Sequence, residues 1–433
     1  MRITIVGGGS YQWAPKLLVD FANTPLLHDA QIVLQDIDPA PLPRMVELVE
    51  HIADVRGIGM TATSTTDQRA ALAGTDYVVV NVSTGGFRSM RHDLEVPARY
   101  GVKQSVGDSV GPGGINRALR NIPIFVELAR NMEELCPDAW MLNLTNPMTA
   151  ICRAVTRETA VKTVGLCHEI TGAQFMLSQL LDVSFLDITP TVAGVNHLPF
   201  ITALDVAGDD GLAQLRDVLE REDPSKAELV RQHRVKLELF SRFGVLPGAG
   251  DRHVVEFFPG FLTEQSGWGD RWGVHLTTIE EREQDQAHHI HRFEEMLAAD
   301  TVPEWPSGEM VAPVITCIET DQPGWFPLNI PNDGQVADLP PDVTVESICV
   351  ADAEGVRGRD EVRLPAAMAD CLRRVSAAQE LTVEAAVTGD RDTVFEAMLL
   401  DPLAGRIDYD RLADMTDELL VATKAWLPQF TTV

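Results

Sequence analysis

Through the first 190 residues, short apolar runs closed by glycine or a polar residue alternate with longer stretches of helical spacing. Ile3-Thr4-Ile5-Val6 runs into Gly7-Gly8-Gly9-Ser10, and residues 15–21 then place apolar side chains at helical intervals. Pro15 suits the first turn of that helix, where its missing N–H is no loss. Ile32-Val33-Leu34 leads into Gln35-Asp36, residues 77–82 end in Ser83-Thr84-Gly85-Gly86, and residues 140–144 precede Asn146-Pro147. Residues 163–166 end in Cys167-His168, and residues 115–135 are helically spaced after Gly111-Pro112-Gly113-Gly114. Strand-length runs separated by helices predict an α/β fold with a Rossmann-like, doubly wound, mostly parallel sheet. Ligands on such sheets bind beyond the carboxyl ends of the strands. Gly7–Gly9, Asp36, Asn81, Asn146, Cys167 and His168 fall at those ends.

After about residue 190 the rhythm changes. Residues 191–197 read as a strand ending in Asn196-His197, with another strand near 200–206, a charged helical stretch over 212–243 and a loop over 246–253. Residues 279–297 predict a helix, the proline-rich stretch 305–348 predicts strands and loops, and the chain reads as helical from Leu364 onward. The expectation is a Rossmann-like NAD-binding domain over 1–190 and a C-terminal α+β domain over 191–433, serving substrate binding and oligomerisation.

Composition narrows the function. The chain has 433 residues, 45% of them hydrophobic, and a formal net charge of −29. That charge argues against wrapping nucleic acid, which needs clustered Lys and Arg, and against an anionic membrane surface. No run approaches the roughly 18 apolar residues of a membrane span, and no signal-peptide pattern is present. Six cysteines lie scattered without CxxC spacing, which fits a reducing compartment. A cytoplasmic protein acting on a small molecule is expected.

The glycines after the first strand sit in the context that a dinucleotide site requires: strand before, helix after, and an acid ending the second strand. Gly7, Gly9 and Ser10 would let backbone N–H groups approach a pyrophosphate. Asp36 would accept ribose hydroxyls, favouring NAD over NADP, and Asn81 would line the same crevice.

Gly111-Pro112-Gly113-Gly114-Ile115, Asn143-Leu144-Thr145-Asn146-Pro147, Gly165-Leu166-Cys167-His168 and Gly194-Val195-Asn196-His197 follow in order, with Asn332-Asp333-Gly334 and Glu346 later. Over nearly the whole chain this set resembles the NAD- and metal-dependent family 4 glycoside hydrolases. The resemblance implies that Cys167 and His197 hold a divalent ion, usually Mn2+, together with the sugar's O2 and O3. A thiolate and an imidazole at strand ends suit such a borderline ion. Singly, they would be a packing cysteine and a satisfied core histidine. The implied route oxidises the sugar at C3 with NAD+, removes the C2 proton, expels the C1 substituent, adds water and returns the hydride. This is an exception to two-carboxylate hydrolysis. By the same resemblance Asp251, where phosphosugar branches carry a tyrosine, becomes the C2 base, although a loop aspartate bound to Arg252 would look the same. His168 becomes the leaving-group acid, and Asn146 binds sugar hydroxyls unless it is only a turn residue before Pro147. A homodimer or homotetramer is expected.

Cys167-His168-Glu169-Ile170 carries the clue to substrate. It resembles the α-galacturonidase branch, whereas α-galactosidases and α-glucosidases resemble Cys-His-Ser, α-glucuronidases Cys-His-Gly, and phosphosugar branches Cys-Asp or Cys-Asn. A uronate needs a cation near C6, and Arg88, Arg91 and Arg252 are the candidates. The rival substrates are α-glucuronides and neutral α-galactosides or α-glucosides. A plain NAD-dependent dehydrogenase would need no thiolate-bound metal, and a non-catalytic NAD-binding protein would have no use for Cys167, His197 and Asp251 together. His288-His289-Ile290-His291 imitates a metal cluster but lies in a charged helical stretch, which predicts a solvated face.

Overall fold

In a computed structural model, described for residues 1–221, 223–304 and 307–431, thirteen strands join in one sheet. Strands β1 (Arg2–Val6), β2 (Gln31–Gln35), β3 (Thr61–Thr65), β4 (Tyr77–Val80), β5 (Trp140–Asn143) and β6 (Lys162–Leu166) are parallel, in the order β3-β2-β1-β4-β5-β6. This is the order of the dinucleotide-binding fold, whose winding reverses between β1 and β4 and opens a crevice there. β2, β4, β5 and β6 are almost wholly buried, as expected of strands covered on both faces.

The chain then adds β7 (Ile188–Val195), β8 (Leu198–Val206), β9 (Asp209–Asp210), β10 (Leu246–Pro247), β11 (Gly324–Pro331), β12 (Thr344–Asp352) and β13 (Gly355–Gly358). These extend the same sheet antiparallel from β6, in the order β11-β12-β7-β8-β10, with β13 on β12 and β9 on β8. The sheet therefore runs without a break past residue 190. The late helices Ala366–Thr388, Arg391–Leu400 and Tyr409–Thr423 turn back onto the first half. Val383, Val394, Met398, Leu412 and Leu419 pack there with Ile115, Leu119, Ile122 and Phe125 of the helix Gly111–Leu135. At roughly 1.5–3 kcal/mol for each large apolar side chain buried, this seam ties the two halves together.

Two elements differ from the pattern in the sequence. β3 reads Thr-Ala-Thr-Ser-Thr, with no apolar alternation; it forms because β-branched Thr suits an edge strand that is half in solvent. The proline-rich stretch contains a helix, Val311–Thr320. Pro313 falls in its first turn, where the backbone N–H has no intrahelical partner anyway. Trp305, which opens that stretch, lies outside the described residues. Among the described residues, no helix is long and apolar enough to cross a membrane.

Candidate active site

The turn after β1 is built by close approach. Gly7 has φ +87°, and a Cβ on it would lie 1.9 Å from the Asn81 carbonyl oxygen at the end of β4, so only glycine fits. Gly7 and Gly8 donate to the Gln35 carbonyl at 2.9 and 2.8 Å, and the Gly9 N–H donates to Asp36 Oδ2 at 3.0 Å. Ser10 Oγ accepts the Trp13 N–H at 3.2 Å, just before the helix Ala14–Ala22. The structure thus gathers Gly7, Gly9, Ser10, Asp36 and Asn81 around the β1/β4 crevice. This cradle has the backbone approach and the acid that a dinucleotide requires.

A second group converges from four separate segments. Cys167 follows β6, His197 sits on the tight turn between β7 and β8, Asp108 precedes the helix Gly111–Leu135, and His253 lies in the helix Asp251–Phe257. His197 has φ +64°, a left-handed conformation uncommon outside glycine and costly enough to point to function. Its Nδ1 is 2.6 Å from Ser109 Oγ and 3.6 Å from Asp108 Oδ1. Its ring stacks on His253, with centroids 3.6 Å apart. Ligand atoms of Asp108, His197 and His253 all lie within 4.8 Å of one another, and Cys167 is in hydrogen-bonding reach of His197.

The electrostatics suit a cation site. Burial pushes the Cys167 thiol up, so it stays protonated at neutral pH without a metal. Burial opposes charge on His197, yet hydrogen bonds with Asp108 and Cys167 hold its pKa well above the ordinary value. Burial, then the neighbouring His197, pushes His253 down to about 4, and its buried Nδ1 has no hydrogen-bond partner. Burial would raise Asp108, but His197, His253 and Arg117 hold it well below the usual carboxylate range. A thiol and an imidazole, flanked by an ionised carboxylate and a second imidazole with an unused ring nitrogen, suit a borderline divalent ion.

The other predicted residues divide. Asn146 joins the cluster: its Nδ2 donates to Asp108 Oδ2 at 3.3 Å, and its carbonyl accepts from Arg117 Nε and Asn121 Nδ2 at 3.2 and 2.9 Å. His168 is half-exposed, and its Nδ1 lies 3.3 Å from Glu309 Oε1, which raises its pKa. Asp251 is engaged elsewhere. Its oxygens accept the Val235 and Lys236 N–H groups at 2.7 and 3.1 Å, capping the helix Arg234–Phe243 beside the buried Lys236 ammonium. It is not bound to Arg252, whose Nη2 donates to the Ser105 carbonyl at 2.9 Å and to Thr277 Oγ1 at 2.5 Å. Arg88 lies over the Trp426 ring at 5.6 Å, and Arg91 pairs with Glu95 and Glu280 at 2.8 and 3.5 Å. Neither is brought to the cluster. The histidine-rich run lies on the helix Ile279–Ala298, where His291 pairs with Glu295 and the only buried residues are Ile279 and Phe293.

Sequence reasoning missed Asp108, His253, Glu309 and Arg117. Asp108 does stand just before the glycine-rich start of a helix, and His253 two residues beyond Asp251, which were the available signals.

Residues 2–183 match the model of the family 4 glycosyl hydrolases, and residues 192–404 match that of the family 4 glycosyl hydrolase C-terminal domain. The Bacillus subtilis α-galactosidase is 31% identical, with 99% of each chain covered. The α-galacturonidase of the same organism is 31% identical over 97% of each chain. Among solved structures, a Bacillus subtilis protein described as a glucosidase superposes with a TM-score of 0.89 at 30% identity, covering 97% of this chain and 99% of that one. A 6-phospho-α-glucosidase from gut microorganisms, solved with NAD and Mn2+, shares the fold at 22% identity and a TM-score of 0.84, over 99% of each chain. With both halves matched and the closed nucleotide turn and thiol–imidazole cluster in one sheet, this chain belongs to the family 4 glycosyl hydrolases.

Proposed function

We propose that the protein hydrolyses α-linked uronides, α-galacturonides foremost, using NAD and a divalent ion, Mn2+, as cofactors. The observation that carries this is the convergence of Cys167, His197, Asp108 and His253 beyond the strand ends, on the sheet that also bears the Gly7–Asp36 cradle. The 31% identity to an α-galacturonidase supports the substrate class, as does Glu169 following the Cys167-His168 pair. When bound, NAD supplies reversible hydride acceptance at C3, and the ion supplies Lewis acidity at the C2 and C3 oxygens.

The chain's own residues do the rest. Cys167 and His197 hold the ion. Asp108, kept ionised, and His253, neutral at pH 7 with a free Nδ1, stand beside it as the groups able to take the C2 proton. Asp251 serves by fixing the start of the helix that carries His253. His168, with Glu309 behind it, is placed to protonate the leaving oxygen. Asn146 orients sugar hydroxyls against Asp108.

The test is a panel of p-nitrophenyl α-galacturonide, α-glucuronide, α-galactoside and α-glucoside and the 6-phospho-glycosides, with NAD+ and Mn2+. The α-galacturonide should turn over fastest. Faster cleavage of the neutral α-galactoside would favour the second reading, which the equally similar α-galactosidase supports.

A further inference from the structure

We infer that Arg117, Arg252 and Arg282 together form the subsite that receives the carboxylate at C6 of the sugar; this rests on the uronide reading above. The three arise from different helices, Gly111–Leu135, Asp251–Phe257 and Ile279–Ala298, and Arg282 lies near enough for its charge to act on both of the others. Arg117 is tied to it through its one hydrogen bond, Nε to the carbonyl of Asn146, whose own side chain holds Asp108. Arg252 is anchored by the Ser105 carbonyl on the loop that leads to Asp108. Arg282 lies in the first turn of the helix that begins just after the Thr277 that steadies Arg252.

Their charge is not matched. The Arg252 and Arg282 Nε atoms are buried without a partner, and the Arg282 guanidinium comes no closer than 3.9 Å to its nearest carboxylate, Asp285. Burial depresses both Arg117 and Arg252; the charge of Arg282 adds to this for Arg252, and for Arg117 it adds behind that of Arg120. The acids nearby are already used. Asp93 is held by Arg120 at 2.8 and 2.7 Å. Asp108 is shared with two imidazoles. Glu256 gives one oxygen to the Val106 and Gly107 N–H groups, and burial pushes it up to about 8, so it is neutral at pH 7. Glu281 alone remains to offset Arg252. Three guanidinium groups with spare forked donors, drawn together in a chain of net charge −29, match a planar carboxylate. In a pyranose, C6 lies across the ring from O2 and O3, so an acid held here leaves those oxygens facing Cys167 and His197. Arg88 and Arg91 have no part in this subsite.

The experiment measures inhibition by free sugars against whichever glycoside the holoenzyme, with NAD+ and Mn2+, cleaves fastest. Galacturonate should bind at least about 10-fold more tightly than galactose, the effect of one or more charge-assisted hydrogen bonds. Arg282→Gln, on a largely exposed helix, should cut that preference about 10-fold or more. Arg117→Lys, which keeps the charge and loses the fork, should cut it less. Arg91→Gln should leave the preference as it is. Equal weakening of galactose and galacturonate in both variants would overturn the subsite, as would tighter binding of galactose 6-phosphate than of galacturonate. Failure of the uronide reading looks different: the panel would favour a neutral glycoside, while the sugar-acid preference and its dependence on Arg282 could still be read.

Discussion

Asp251→Asn separates a capping residue from a catalytic base. Lys236 is only 2% exposed, and the charges that face it are Asp251 and Glu169. Neither carboxylate lies within the 4 Å of a direct ion pair, so at an effective dielectric near 20 losing the Asp251 charge costs less than about 4 kcal/mol, and Glu169, which remains, holds the loss to about 3. The amide also puts an NH2 where an oxygen accepted a backbone N–H, losing about 1 kcal/mol of cap. At about 2 cal/mol/K per residue the unfolding entropy of a chain this long is of order 0.9 kcal/mol/K, so about 4 kcal/mol lowers the melting temperature by about 4 °C. Scanning fluorimetry of the holoenzyme reads that shift. Turnover in D2O, with NMR of the released sugar, reads deuterium at C2. The expected variant melts lower, yet incorporates deuterium per turnover within about 10-fold of the parent when assayed well below its melting point. An unchanged melting temperature together with exchange reduced by the 10²–10⁴-fold typical of a lost general base would refute the capping role and return Asp251 to the chemistry.

Other consequences are quickly checked. Cys167→Ser should bind NAD normally but lose Mn2+-dependent cleavage, since Ser cannot replace a thiolate ligand; full activity in the variant, or after chelation, would remove the metal from the scheme. Gly7→Ala should weaken NAD binding by at least about 10-fold, because its Cβ would fall 1.9 Å from the Asn81 carbonyl oxygen and the turn must open; fluorescence titration with NADH measures this. Glu256 has a folded pKa of about 8, above its ordinary 4.5. Between those values the folded state holds the extra proton, so stability is greatest at the acid end and falls as pH rises toward 8. Melts at pH 5.5, 7 and 8.5 should show the decline in the parent and a flatter profile in Glu256→Gln.

The parallel half was readable because every strand but β3 is a short, mostly buried apolar run, and the chemistry lies just past the ends of these runs. Gly7, Asp36, Asn146 and Cys167 could all be placed by counting along such runs. The rest depended on distance in the chain. Asp108 looks like one of many loop aspartates until Ser109 meets His197, 88 residues away. Asp251 shows the opposite failure. Its neighbours in sequence suggested a loop aspartate beside Arg252, but the partners that fix it, Val235 and Lys236, belong to another helix. Arg88 and Arg91 were chosen for their charge alone, and charge alone does not say whether a partner such as Trp426 or Glu280 has already claimed them.

The motifs that looked separate in the sequence meet in one row across the sheet. Gly165 of β6 stands opposite Asn329 of β11, Asn329 opposite Glu346 of β12, and Glu346 opposite Gly194 of β7. Three strand spacings make this row about 14 Å long, and its two ends lead directly to Cys167 and His197. Both terminal glycines are demanded by crowding. A Cβ on Gly165 would meet Met148 at 2.7 Å and Asn329 at 2.9 Å, and one on Gly194 would meet the Leu198 carbonyl oxygen at 2.3 Å. In the middle of the row Glu346 accepts from Asn196, the residue before His197, at 3.2 Å. Burial pushes Glu346 up to about 7, and its second oxygen, both Asn329 amide atoms and Asn196 Oδ1 lack partners. Buried polar groups this unsatisfied are costly in a core and are retained where they orient something. Here they underlie the turn that holds His197 in its left-handed conformation. Asn332, by contrast, spends its amide on the carbonyls of Val336, Leu339 and Pro340, which shapes a loop. The antiparallel extension therefore does more than cover the nucleotide half: by continuing the same sheet, it fixes the imidazole relative to the thiol through backbone pairing rather than through the packing of two separate lobes.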